Sequence, residues 1–562
     1  MKATKKLMSL LLVLVMLFAC VGCGGNTGNA DDAADNGGNA ANSGQTQMDA
    51  GDTDEEAQAS EVAEEDKYGG TFVLNLAGDP KSFNPDGVAD DYNFHISQNL
   101  YSRLVQMNIN EEIMPDLATD WEFSEDGKTV TFHLQEEAMW HDGEPVTSED
   151  VKWTFETIIN EKGHASNGLT DVVSIECPDE HTVVFNLANP SAKFISTLSW
   201  YGTYILPKHI YEGTDWLTNP ANMEPIGSGP FKFVSYEPGS SIVFEAFEDY
   251  FRGRPYLDQV IYTIIPDTNT AYQAFLNGEL DNLAGGFPAG AVDKLDGDPN
   301  YKILYTEISG GRDYITFNFE DENFGKKEVR EAVALAVNKE QIVEVALKGL
   351  GVPSYYYLPQ AYEEYLNDDA RMPDRDVEAA RACLEAAGYT ADENGMYFSC
   401  TLDIFNTGNS PDIAAVVVEN LKEAGIDVSL NSMEYAAWND KVMNNKNFEF
   451  TLLGGQQSPD VSAAGDRLET DGSMNFMNYS NPTVDELFDA GSMETNQEER
   501  EEIYKEIQVY LAEDIPQVPL SDYKSKTAIP AYVMDHPWTE PSCIYYSSAC
   551  WAGTWLDKSQ MN

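Results

Sequence analysis

Residues 454–460 read Gly-Gly-Gln-Gln-Ser-Pro-Asp, directly after the apolar run Phe-Glu-Phe-Thr-Leu-Leu at 448–453. Nothing in that strip packs a core. Its side chains form hydrogen bonds instead: Gln456, Gln457 and Ser458 each offer donor and acceptor atoms, and the carboxylate of Asp460 can meet an ammonium group. Gly454 and Gly455 allow close approach of a neighbouring group and leave room for a ring. Chemistry of this kind is reversible recognition of a polar molecule; the alternative is a connecting loop that simply faces water. The glutamines favour an uncharged part of a ligand, because the first charge after the run, Asp460, stands at the far end of the strip.

Arg312 and Tyr314, in Ser-Gly-Gly-Arg-Asp-Tyr at 309–314, form a second candidate. The guanidinium is a fork for a carboxylate or phosphate, or else half of a surface ion pair. His141-Asp142 would suit general-base chemistry, but no serine or cysteine nearby has the setting of a nucleophile, and His-Asp-Gly at 141–143 reads as a turn. The seven histidines are scattered and, beyond Cys20 and Cys23 of the N-terminal segment, the cysteines form no Cys-x-x-Cys pair, so neither a metal site nor a cofactor is expected. The chain is read as a binder, not an enzyme.

The N-terminus carries its own chemistry. Lys2, Lys5 and Lys6 precede an apolar run from Leu7 to Ala19, too short to span a bilayer comfortably but suited to a signal peptide. Val-Gly-Cys follows, and resembles the lipobox of bacterial lipoproteins. Cys23 is the expected lipidated residue, with Cys20 an alternative. Residues 24–66 lack any basic residue until Lys67 and hold almost no large apolar one, so they form a disordered acidic tether. The formal net charge of -61 excludes a nucleic-acid partner, which requires Lys/Arg stripes. It keeps an exported protein soluble. Cys383 and Cys400 are expected as core thiols, and Cys543 with Cys550 as a possible small bridge.

The elements that hold these residues follow from periodicity. Val-Thr-Phe-His-Leu at 130–134 and Val-Val-Phe-Asn-Leu at 183–187 alternate as strands do. Thr147 with Asp150 reads as a capping box opening a helix. Residues 231–247 predict a hairpin. Helices are expected from Asn338 to near Gly349 and over 376–387. Strands at 396–405, 426–430 and 448–453, separated by helices at 410–425 and 436–444, predict a parallel sheet with right-handed crossovers. The polar strip then lies at the carboxyl end of a parallel strand, where open α/β sheets bind ligands. With 562 residues, more than one core is expected.

Several blocks resemble the family 5 extracellular solute-binding proteins of ABC importers. They include Leu117 to Glu156 with its His-Asp-Gly turn, Ile226 to Phe251, Val329 to Val343 and Met477 to Gly491. The resemblance spans about residues 68–535 and implies an α/β, two-lobed periplasmic-binding-protein-like fold of class II (cluster C type) with an extra inserted domain. The implied division is a signal peptide (1–23), a tether (24–66), lobe I (67–111, 226–316 and 525–562), an inserted domain (112–225) and lobe II (317–524).

The family holds peptides between two extended segments. Here these would be Gly87–Phe94, giving Asp91 and Tyr92 as ligand contacts, and the strip after residue 453. Tyr435 and Trp438 would supply an aromatic cleft wall, or core in the case of Trp438. Peptide binders carry a Trp and an Asp-Tyr pair in the second segment; this chain has neither, which leaves Asp460 either as the amine-binding carboxylate or as a structural neighbour. The implied partners are a peptide or small-molecule ligand and ABC permease subunits. A lipid anchor would attach a monomer to the membrane, facing the extracellular space or periplasm. A signalling or adhesion lipoprotein on the same fold is the alternative.

Overall fold

The computed structural model describes residues 62–87, 90–108, 112–284, 286–288, 290–306, 309–406, 408–455, 460–538, 544–545 and 548–561. Cys20, Cys23, the tether to residue 61, Gln456, Gln457 and Cys543 lie outside them, as does the side chain of Asp91.

Three sheets organise the chain. A five-stranded sheet has the order Asn282–Leu283, Thr71–Leu76, Gln259–Ile264, Ser241–Ala246, Phe231–Glu237. Thr71–Leu76 runs parallel to Gln259–Ile264, and the expected hairpin closes the sheet antiparallel. A four-stranded antiparallel sheet is made from Ala118–Phe123, Thr129–Leu134, Thr182–Leu187 and Val172–Asp179. Its inner strands bury Val130, Phe132 and Leu134 against Val183, Phe185 and Leu187, the period-two set that alternation requires. The helix Ser148–Asn160 covers this sheet and starts at the Thr147–Asp150 capping box, where Thr147 N–H donates to Asp150 Oδ2 at 2.8 Å.

The third sheet has six strands, ordered Val352–Pro353, Gln517–Asp522, Arg312–Phe317, Phe450–Gly455, Phe398–Phe405, Ile426–Met433. The last three are parallel, as their alternation with helices requires. Arg312–Phe317 instead pairs antiparallel on both sides, so the whole sheet is mixed. One large core joins the five- and four-stranded sheets, and a separate one surrounds the six-stranded sheet. Two cores of this size are what makes the molecule two-lobed.

The lobes are linked by two adjacent segments. Tyr301–Tyr305 pairs antiparallel with Lys526–Pro530 in the first lobe, and the same chains become Arg312–Phe317 and Gln517–Asp522 in the second. Between them Thr306 N–H donates to Ser525 O at 2.9 Å, Ser309 N–H to Tyr523 O at 3.0 Å and Tyr523 N–H to Gly311 O at 2.7 Å.

Local expectations were met unevenly. The helix Val377–Ala386 ends before Gly388, whose φ is +92°. The helices expected at 338–349 and 436–444 are each one short α turn, Lys339–Gln341 and Tyr435–Trp438, continued by wider π turns. The segment around Gly87–Phe94 is not extended throughout: Asp90 caps a helix, Asp91–Leu100, by accepting from Tyr92 N–H at 2.9 Å. Among the described residues no helix is long and apolar enough to cross a membrane.

Candidate functional site

A cavity of 380 Å³ lies between one segment from each of the two cores. One wall comes from the turn Ser166–Leu169 and the helix Phe194–Ser199 with their flanks. It presents His164, Asn167, Lys193, Thr197, Trp200 and Tyr201. The facing wall comes from residues 460–469 and the helix Pro482–Met493, presenting Asp460, Asp466, Glu469, Phe488, Asp489 and Ser492. The walls meet at one edge, where Ala192 N–H donates to Ser492 O at 3.1 Å.

The first wall is aromatic and firmly held. Tyr201 is buried, and its hydroxyl accepts from Asp90 N–H at 2.9 Å. The His164 ring meets it edge-on at 4.4 Å, and burial holds that imidazole below its usual range, hence neutral. The second wall is acidic. Asp460 caps the turn Val461–Ala464 by accepting from Ser462 N–H at 2.9 Å, and pairs with Arg500 at 2.7 Å. Burial alone would raise that carboxyl, but the Arg500 charge and hydrogen bonds hold it below the ordinary carboxylate range. Glu469 behaves oppositely. Burial, then the negative charges of Asp489, Asp485 and Asp466, push it up to about 7, with Lys193 across the cavity pulling the other way. The cavity therefore offers hydrogen-bonding groups, aromatic faces and a surplus of negative charge, a setting for a polar ligand bearing donors or a cationic group.

Of the sequence candidates with described side chains, Asp460 lines this cavity. Arg312 does not. It is 2% exposed and bonds within its own lobe: to Asp522 at 2.9 Å, to Ser354 Oγ, and to the carbonyls of Tyr356, Tyr357 and Leu358. Its fork grips the protein's own carboxylate, which corrects the expectation of a ligand contact. Tyr314 is likewise buried, its hydroxyl accepting from Arg467 Nε at 3.0 Å. Tyr435 is 56% exposed and stacks on Trp438, which is buried with its Nε1–H donating to Thr451 Oγ1 at 3.0 Å. Tyr92 is half-buried, its ring filling the space a Cβ on Gly78 would need.

The glycines of the strip also differ from expectation. A Cβ on Gly454 would fall 2.3 Å from Asp313 Oδ1, so that space holds the protein itself and not a ligand ring; beside Gly455 it is open. His141 is the structural residue of its turn: Gly227 N–H donates to Nδ1 at 3.1 Å and Nε2 lies 2.9 Å from Gly229 O. Lys193, Trp200, Tyr201, Glu469 and Arg500 escaped sequence reading. The adjacent aromatics Trp200-Tyr201 at a helix end, and a lone arginine in Gln-Glu-Glu-Arg-Glu-Glu, were the signals present.

A two-lobed α/β fold with a polar cavity between its lobes defines a class of solute-binding proteins. Residues 112–475 match the family model of the bacterial extracellular solute-binding proteins, family 5 (middle region), and the chain belongs to that family. It is 29% identical over 522 residues to the oligopeptide-binding protein AppA of Bacillus subtilis, covering 89% of this chain and 95% of the relative. The solved structure of the oligopeptide-binding protein AppA from Bacillus subtilis in complex with a nonapeptide superposes with a TM-score of 0.71 at 28% identity, covering 88% of this chain and 100% of the other. The ABC transporter substrate-binding protein CtaP of Listeria monocytogenes gives a TM-score of 0.79 at 27% identity, with coverage of 88% and 100%.

Proposed function

We propose that the protein captures a peptide, or a small solute with peptide-like polar groups, between its lobes and delivers it to the permease of an ABC importer. The observation that carries this reading is the cavity whose two walls belong to different cores, so that movement about the paired crossing segments would open and close it. The relatives named as oligopeptide-binding and as an ABC transporter substrate-binding protein support the same assignment. Asp460, Tyr92, Tyr435 and, in segments outside the described residues, Gln456 and Gln457 are the proposed ligand contacts, with Asp91 beside Tyr92. The domain limits given from the sequence go with this reading, as do a monomeric state and the absence of turnover. A lipid on Cys23 would hold the receptor at the outer face of the membrane, where Cys23→Ser should release it or leave it unprocessed.

The test is mass spectrometry of the species that leave the purified full chain on denaturation, followed by melting curves with those species and with synthetic peptides of two to nine residues. A ligand at a hundred times its Kd should add about 2.7 kcal/mol of stability. The absence of both a released species and any peptide-induced shift in Tm would overturn the reading.

A further inference from the structure

Asp313 follows Arg312 on the strand that enters the second lobe, yet its carboxylate meets a different set of groups. It is half-buried and accepts from Ser521 Oγ at 2.9 Å and Tyr523 Oη at 3.1 Å, both on the segment returning to the first lobe. Across the sheet it stands opposite Gly454. A Cβ on Gly454 would lie 2.3 Å from Asp313 Oδ1 and 2.7 Å from Tyr523 Oη, so carboxylate and phenol together fill the space beside that strand end. Tyr523 is also part of the crossing, bonded through its backbone to Gly311 and Ser309. One side chain thus touches both the link between the lobes and the last residues before the 456–460 strip.

We propose that Asp313 is a positioning residue that couples the lobe crossing to the end of the strand carrying the ligand strip, tightening that end when ionised and loosening it when protonated. The proposal rests on the reading of the strip as a cleft wall. An ionised carboxylate accepts both hydroxyl hydrogens in charge-assisted bonds, roughly twice as strong as neutral ones; protonation removes that charge. Facing the carboxylate are Ser521 and Tyr523 from the returning segment and Gly454 from the neighbouring strand, with Arg312 and Asp522 beside it paired to each other. Burial pushes the carboxyl up, the two hydroxyls pull it down and Asp522 adds a like charge, leaving it at about 6. The switch then falls just below neutral pH. Because the folded value exceeds the unfolded one, ionisation lowers global stability as pH rises through that window, while it tightens this strand end. The opposite signs separate a local brace from a merely structural carboxylate.

Hydrogen exchange read by mass spectrometry on the ligand-free full chain tests this, at about pH 5 and about pH 7.5 with intrinsic rates corrected. The segment containing residues 450–455 should lose protection about 5-fold at the lower pH. Asp313→Asn should give the same protection at both. Tyr523→Phe, which keeps the carboxylate, should lower protection at the higher pH and guards against failure of the first variant to fold. A wild-type ratio near one, an unaltered ratio in Asp313→Asn, or unchanged protection in Tyr523→Phe would overturn the proposal. No ligand is present, so such a failure leaves the capture reading intact, and failure to bind peptides leaves this result intact.

Discussion

Two buried arginine–aspartate pairs in the same lobe look alike on paper and do different work. Arg312–Asp522 is closed on itself. Its guanidinium also meets three carbonyls and Ser354, while Asp522 Oδ2 accepts from Ser354 Oγ at 2.9 Å and from Gln360 N and Nε2 at 3.1 and 2.9 Å. Arg500–Asp460 is closed on one side only: Arg500 is held by Gly491 O and Tyr365 Oη, but Asp460 lies in the cavity wall. A charged residue in a binding protein is therefore read from what remains of its hydrogen-bonding capacity after the fold has used its share.

The sharpest way to break the comparison is to remove the guanidinium of the closed pair. Arg312→Ala leaves Asp522, with no exposed surface, as an uncompensated buried charge. A loss of about 3–5 kcal/mol is expected, read as a lower urea midpoint at unchanged slope. A loss under about 1 kcal/mol would mean that water reaches Asp522 and that the pair is not closed.

The same neighbourhood holds Lys339, 2% exposed, its ammonium 3.7 Å from Met372 Sδ and 4.4 Å above the Tyr355 ring. Burial, helped by the charges of Arg312 and Arg371, pushes it down to about 7. The unfolded chain, titrating near 10.5, binds more protons between those values, so this residue makes stability rise with pH from about 7 upward. Lys339→Met should stabilise the protein below pH 7 by on the order of 3 kcal/mol, with the gain shrinking toward pH 10. Equal urea midpoints for variant and wild type at about pH 6 would show instead that Lys339 carries its charge without penalty.

Much of the scaffold was legible because its signals are local. The alternating strands, the Thr147–Asp150 box and the Gly388 stop each depend on residues within a few positions, and three parallel strands follow from helices between them. The site was less so. Asp522 lies 210 residues from Arg312, so no local pattern says that the fork is already occupied. Gly454 reads as open space until Asp313 and Tyr523 are seen to fill it. The cavity joins residues 164–201 to 460–492, and only tertiary structure brings Lys193 to face Glu469. The π turns after Gln341 and Trp438 have apolar spacing close to that of an α-helix, which hides them.

The smallest expected effect belongs to the half-open pair and sharpens the contrast most. Asp460→Asn keeps an oxygen that can accept from Ser462 N–H and from Arg500, so the turn Val461–Ala464 retains its cap. Arg500, 6% exposed, loses its counter-charge, but Asp466, Glu469 and Asp489 share the cavity with position 460 and water can enter it. The cost should be about 1–2 kcal/mol, clearly below that of Arg312→Ala. Ligand affinity supplies a second axis. If Asp460 also meets the bound solute, a ligand with an ammonium group should weaken by about ten-fold, roughly 1.4 kcal/mol, while its N-acetylated form should be unaffected. Calorimetry on the pair of ligands separates the outcomes. Equal weakening of both would make Asp460 a structural cap, and a stability loss matching that of Arg312→Ala would erase the distinction between the two pairs.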